Sequence, residues 1–107
     1  MSQLAAIGME ERPRRSPRVV GRRIAGEFLL VPLAGRGADV DALFNLNRVG
    51  TAIWELLDGS RDGHAVVEQL TRRFAVEREE AARDYRDFVA QLVTIGAVEP
   101  PPGPAQE

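Results

Sequence analysis

The hydrophobic pattern of this chain changes period once, near Asn47, and that switch limits the fold more than any other feature of the sequence. Upstream, Arg18 to Ile24 and Glu27 to Leu33 are β-rich runs separated by Ala25-Gly26, a two-residue connection in which glycine supplies positive φ. They predict a hairpin. Ala34 to Asp41 carries two glycines and two aspartates without periodicity and reads as a flexible loop, after which Ala42 to Leu46 returns to the sheet as a third short strand. Downstream, Asn47 is a good N-cap for a helix with Val49, Ile53, Leu56 and Leu57 at helical spacing and Gly59 placed to end it. Asp62 caps a second helix bearing Val66, Val67, Leu70 and Phe74, with Arg72 and Arg73 near its negative end. The third helix, Arg78 to Ile95, lays Ala81, Tyr85, Phe88, Leu92 and Ile95 on one stripe. It begins among Glu77, Glu79 and Glu80 and stops at Gly96. Three strands followed by three helices, with Ala97-Val98 available as a closing strand, predict an α+β domain. Its small three-stranded antiparallel sheet and helices suit a winged helix-turn-helix arrangement.

The ends of the chain bound this unit. Residues 1–17 are rich in Arg and Pro, and Pro13 and Pro17 deny a continuous helix, so a flexible arm is expected there. The prolines of residues 100–104 cannot join a helix or an interior strand, which leaves 100–107 as a Pro-rich tail. Residues 18–99 then form one domain of ~80 residues around one core. An apolar share of 44% with 28% charged residues fits a soluble globular protein. The longest apolar run, Phe28 to Leu33, falls far short of the roughly 20 residues that span a bilayer, and the N-terminus lacks a signal-peptide pattern. A cytoplasmic address and no membrane partner are expected.

Charge divides unevenly. Residues 1–23 hold six Arg against Glu10 and Glu11, whereas residues 39–107 hold seven Arg against thirteen acids. An acidic body repels a phosphate backbone, so nucleic acid is a disfavoured partner. The inventory is equally poor in catalytic sets. The chain has no Cys and no Lys, which excludes disulfides, thiolate chemistry and Schiff bases. His64 is the single histidine, without a second imidazole to share a metal. Gly35-Arg-Gly37 lacks the spacing of a phosphate loop, and no G-x-S-x-G elbow occurs. Glu77, Glu79, Glu80, Asp84 and Asp87 are interleaved with Arg78, Arg83 and Arg86, and Glu79, Glu80 and Asp87 stand three or four residues from Arg83, the pattern of solvated ion pairs. Trp54, Tyr85 and Phe88 sit on or beside apolar stripes and read first as core. No catalytic residue, metal or cofactor is expected, and the chain reads as no enzyme. Three strands, however, leave an edge of unpaired N–H and C=O groups. An edge beside an apolar helix either accepts an extended peptide or is blunted by a loop or the basic arm, and the pattern leaves both open.

Three stretches bear on that choice: Arg23 to Pro32, Leu46 to Gly59, and Phe74 to Asp84 continued through Phe88 to Leu92 and Gly96 to Val98. In order and spacing they resemble the PqqD-like family, the recognition elements of ribosomally made, post-translationally modified peptides (RiPPs). Gly63 departs from it, standing where relatives usually have an apolar residue. The Tyr-Pro-Glu-Gly stretch associated with the protein of pyrroloquinoline quinone synthesis is missing, so that pathway is not expected. The resemblance implies a non-catalytic peptide chaperone of bacterial natural product biosynthesis. In such a module the third strand and third helix flank the leader region of a precursor peptide, which adds as a further antiparallel strand. Carried onto this sequence, the backbone of Leu43, Phe44, Asn45 and Leu46 pairs with the leader. Asp84, Tyr85, Phe88, Gln91 and Leu92 supply the helical rim, with Phe88 and Leu92 flooring an apolar pocket. Which of Tyr85 and Phe88 turns into the core is left open. The implied second partner is a peptide-modifying enzyme, in relatives often a radical-SAM, cyclase or peptidase component, on a chain that is a monomer or weak homodimer.

The competing reading is a winged-helix DNA-binding regulator whose third helix enters the major groove. Residues 77–96 hold five acids and three Arg, a poor charge for an element that must meet phosphates.

Overall fold

The computed structural model describes residues 7–33 and 44–99. The expected loop over 34–41, Ala42 and Leu43 of the third strand, and the Pro-rich tail lie outside the described residues. Among the described residues five strands and three helices follow in the order β1 (Arg14–Arg15), β2 (Val19–Ile24), β3 (Glu27–Pro32), β4 (Phe44–Leu46), α1 (Arg48–Leu56), α2 (Gly63–Phe74), α3 (Arg78–Thr94) and β5 (Val98–Glu99). The period switch at Asn47 is therefore the boundary between sheet and helices.

Strands β2, β3 and β4 form an antiparallel sheet in that order, with Val19 opposite Pro32, Ile24 opposite Glu27 and Phe28 opposite Leu46. At the hairpin both turn residues have positive φ, +53° at Ala25 and +85° at Gly26. This is the type I′ geometry, whose twist matches that of the flanking strands. Gly21 in β2 is required by a close approach: a Cβ there would lie 2.5 Å from the Phe28 ring and 2.8 Å from the Trp54 indole nitrogen. The sheet thus closes over Trp54, which is buried as its apolar surroundings predict.

Helices α1 and α2 each begin where a side chain satisfies one of the first free N–H groups, whereas α3 starts at Glu77 without a side-chain cap. The Asn47 carboxamide oxygen accepts from the Gly50 N–H at 2.7 Å, and the Asp62 carboxylate accepts from the Ala65 N–H at 2.9 Å. Helix α3 ends in a Schellman arrangement around Gly96, φ +77°, with the Ala97 N–H donating to the Leu92 carbonyl and the Gly96 N–H to that of Val93. Helix α1 ends at Leu56, before the Gly59 expected to stop it, because the Leu57 N–H already donates to the Trp54 carbonyl. Gly59 instead serves the following turn, with φ +86° and its N–H on the Pro13 carbonyl. In that turn Ser60 donates to the Asp58 carboxylate through its hydroxyl and its N–H, and these bonds hold the carboxyl below its ordinary pKa.

The core lies between sheet and helices. Leu30, Ile53, Leu57, Val66, Val67, Leu70, Tyr85, Val89 and Leu92 are buried almost completely. Each such side chain contributes roughly 1.5–3 kcal/mol by leaving water. Two expectations change here. The buried face of α3 is Ala81, Tyr85, Val89 and Leu92, so Phe88 falls to its flank and Ile95 stays 40% exposed. And residues 7–17, read from the sequence as a free arm, pack on the domain from Ile7 onward. Ile7 is buried, Met9 rests against the core, β1 pairs antiparallel with β5, and the Arg15 guanidinium donates to the carbonyls of Trp54 and Glu55. Val98 thus finds its strand partner in that segment and not in the three-stranded sheet. Among the described residues, no helix is long and apolar enough to cross a membrane.

Candidate functional site

The sheet has two edges with different chemistry. The β2 edge carries exposed Arg22, Arg23 and Ile24, and charged side chains of this kind oppose pairing with another chain. At the other edge β4 pairs with β3 alone, and no strand among the described residues takes its outer side. The outward backbone groups of Phe44, Asn45 and Leu46 therefore face away from the sheet, ready for one more strand. The docked N-terminal segment does not take that place. Its contacts run instead to Leu57, Gly59, Gly63 and Ala97.

Beyond Leu46 the chain turns at Asn47 into α1, and α3 passes alongside. Asn47, Val49, Gly50 and Ile53 form one wall of a groove. Asp84, Asp87, Phe88 and Gln91 form the other, and the space between holds about 230 Å³. Gly50 makes the walls fit, since a Cβ there would lie 3.4 Å from the Phe88 ring. Phe88 remains half-buried and presents part of its ring to the groove.

The expected site residues divide into three groups. Asp84, Phe88 and Gln91 line the groove together, and Phe44, Asn45 and Leu46 supply the strand edge beside α1. Leu46 directs its side chain into the core, while Asn45 is exposed and donates to Glu27 at 2.8 Å. Tyr85 and Leu92, both 0% exposed, lie inside the core and offer no surface to a ligand. The reason is helical phase: with Val89 at the centre of the buried face, Tyr85 and Leu92 turn inward and only Phe88 of the aromatic pair reaches the groove. Leu43 lies outside the described residues. The sequence reading missed Asp87 and the α1 wall. Asp87 could have been found by helical spacing, three residues after Asp84 and four before Gln91; the α1 wall carried no such signal.

The acids of α3 are also not paired as expected. Arg78 reaches Glu68 of α2 at 3.0 Å, and among the described residues neither Asp84 nor Asp87 has an ion-pair partner. His64 is exposed, with its nearest carboxylate, Glu10, at 3.8 Å, and no group of three potential metal ligands occurs among the described residues. A larger concavity of about 530 Å³ lies between the hairpin, Asn45 and Leu46 of β4, α1 and the end of α2. It is bordered by Arg23, Phe28, Arg48 and Phe74 and receives nothing from α3. Arg48 lies over the Phe74 ring at 5.7 Å and Arg23 over Phe28 at 5.5 Å, so these cations already have partners.

Comparison with known proteins adds a family match and three structural likenesses. The family model described as coenzyme PQQ synthesis protein D (PqqD) matches residues 27–98. The chain is 28% identical to TbiB1, solved in complex with the TbiA(beta) leader peptide; the likeness covers 84% of this chain and 99% of that one at a TM-score of 0.67. Lasso peptide synthetase B1, complexed with the leader peptide, is 22% identical, covering 83% and 99% at a TM-score of 0.68. The solution structure of the PqqD truncation of Methylobacterium extorquens PqqCD, described as a functional and stand-alone RiPP recognition element, is 17% identical. It covers 90% and 97% at a TM-score of 0.71, and so shares the fold, the α+β winged helix-turn-helix arrangement expected above. No curated protein matches the chain.

Proposed function

The chain belongs to the PqqD family, and from that premise we propose that it is a non-catalytic RiPP recognition element. In this reading it captures the leader region of a precursor peptide and presents it to a modifying enzyme. The observation that carries the proposal is the open outer edge of β4 beside the groove walled by α1 and α3. Strand addition there gives the leader main-chain hydrogen bonds for affinity, while the groove selects side chains. The backbone of residues 43–46 is assigned the pairing role. Phe88 is assigned the apolar contact, and Asp84 and Gln91 the polar ones. Leu92 supports the site only from beneath, and Tyr85 is given no ligand contact. The enzyme that receives the peptide, of radical-SAM, cyclase or peptidase type, takes a separate surface. The likeness to TbiB1, solved with its leader bound, supports this reading. A DNA-binding role is disfavoured because Asp84 and Asp87 stand exposed on α3.

A groove of this size supports micromolar to submicromolar affinity, on the order of 8–9 kcal/mol. Titration of the folded protein with labelled leader peptides from precursor genes neighbouring its own, followed by fluorescence anisotropy, tests the proposal. Saturable binding is expected, weakened by Asp84→Arg and by Phe88→Ala. Absence of saturation below about 100 µM for every such leader overturns it.

A further inference from the structure

Resting on the leader-binding reading of the groove, we infer that the peptide it takes presents a basic side chain, Lys or Arg, to the α3 wall. Two full negative charges, Asp84 and Asp87, line that wall one helical turn apart. The helix carries three Arg, one of which, Arg83, stands four residues before Asp87, yet none of them pairs with either acid. Arg78 is turned to Glu68, and Arg83 and Arg86 make no ion pair among the described residues. The facing wall offers no cationic side chain, being Asn47, Val49, Gly50 and Ile53. Its one positive feature is the N-terminus of α1, worth roughly half a charge, and Asn47 already occupies the Gly50 N–H there. The groove is therefore net negative.

A strand lying in this groove strips water from the two carboxylates, so a leader without a cation leaves them poorly solvated. Phe88 makes the match more specific. Its half-exposed ring stands next to Asp87 in sequence and lines the same space, giving the alkyl stem of Lys or Arg an apolar surface while the charged head reaches the acids. Side chains of an added strand alternate, so the basic residue is flanked at two-residue spacing by residues facing the same way. Apolar ones suit Val49 and Phe88.

The test is selection of a displayed library of random 12-residue peptides on the intact protein, followed by anisotropy titration of the enriched peptides. Enrichment of Lys or Arg at one position of the shared motif is expected. Replacing that residue by Gln should weaken binding about three- to tenfold at low salt, with a smaller effect at high salt. The double variant Asp84→Asn/Asp87→Asn should lose the same factor for the parent peptide and nothing further for the Gln peptide. Asp84 and Asp87 are exposed and have no ion-pair partner among the described residues, so these variants are expected to fold. Peptides that bind without a basic preference, or that bind the double variant as tightly, overturn the inference and leave the leader reading standing. A folded protein that enriches no peptide overturns both.

Discussion

Tyr85 has the most exacting environment of any residue in the protein. Its ring is 0% exposed, and its hydroxyl is buried without a hydrogen-bond partner among the described residues. Desolvation, with a smaller contribution from Asp62, pushes its pKa from 10.0 up to about 12. The folded state therefore holds its proton where the unfolded chain releases it, so stability is intact below pH 10 and falls as pH rises from 10 to about 12. A shift of this size corresponds to a loss on the order of 2–3 kcal/mol. The chain has one Tyr, no Lys and no Cys, so other side chains contribute little in that window. Urea denaturation across pH 8–12 should show the fall in wild type and its absence in Tyr85→Phe. That variant should also gain about 1 kcal/mol at neutral pH by removing an unsatisfied hydroxyl. Gly63 answers to the same ring. A Cβ on it would lie 2.8 Å from Tyr85 and 3.1 Å from the Met9 backbone, so the space left by the missing side chain admits Met9. Gly63→Ala should cost about 1–3 kcal/mol by thermal or urea denaturation.

At the scale of elements, the hairpin and α3 matter most to the site. Ala25 occupies the left-handed region at φ +53°, which is unfavourable for a residue with a Cβ and ordinary for Asn or Gly. Ala25→Asn creates the Asn-Gly pair that type I′ turns prefer and should raise stability by about 0.5–1 kcal/mol, read as a rise in Tm. The turn lies away from the α3 wall, so peptide affinity should not change. The phase of α3 is set by its small and branched residues. Ala81 and Val89 let the helix approach the core closely, which rotates bulkier Phe88 to the flank where it meets Gly50 and the groove. The same rotation exposes Asp84, Asp87 and Gln91 along one rim.

For the molecule as a whole, the N-terminal segment is a structural part of the domain. It contributes Ile7 and Met9 to the core, a strand against β5 and the Arg15 bonds to the end of α1, with the Arg15 guanidinium 5.9 Å from the Trp54 ring. Offset by the entropy of ordering the segment, these contacts are worth about 2–5 kcal/mol. Deletion of residues 1–17 should lower the urea midpoint accordingly, whereas an unattached arm would leave it unchanged. Because the segment is anchored on the side of α1, α2 and β5, it leaves the β4 edge to an incoming strand.

Local rules determined much of this protein from its sequence. The alternation before Asn47 and the helical spacing after it, the caps at Asn47 and Asp62 and the stop at Gly96 all follow from backbone hydrogen bonding that a few neighbouring residues satisfy. The likeness of three short stretches to a known family was legible for the same reason, since those stretches are the strand, turn and cap residues themselves. Tertiary structure decided what depends on contacts distant in the chain. Whether Phe88 or Val89 faced inward turned on which side of α3 met Gly63 and the other helices. Whether Arg and Pro at residues 12–17 left the segment free turned on Leu57, Trp54 and Val98 being within reach. Periodicity places residues on faces, but only packing fixes which face is buried, because side chains within one or two turns of each other compete for the same core.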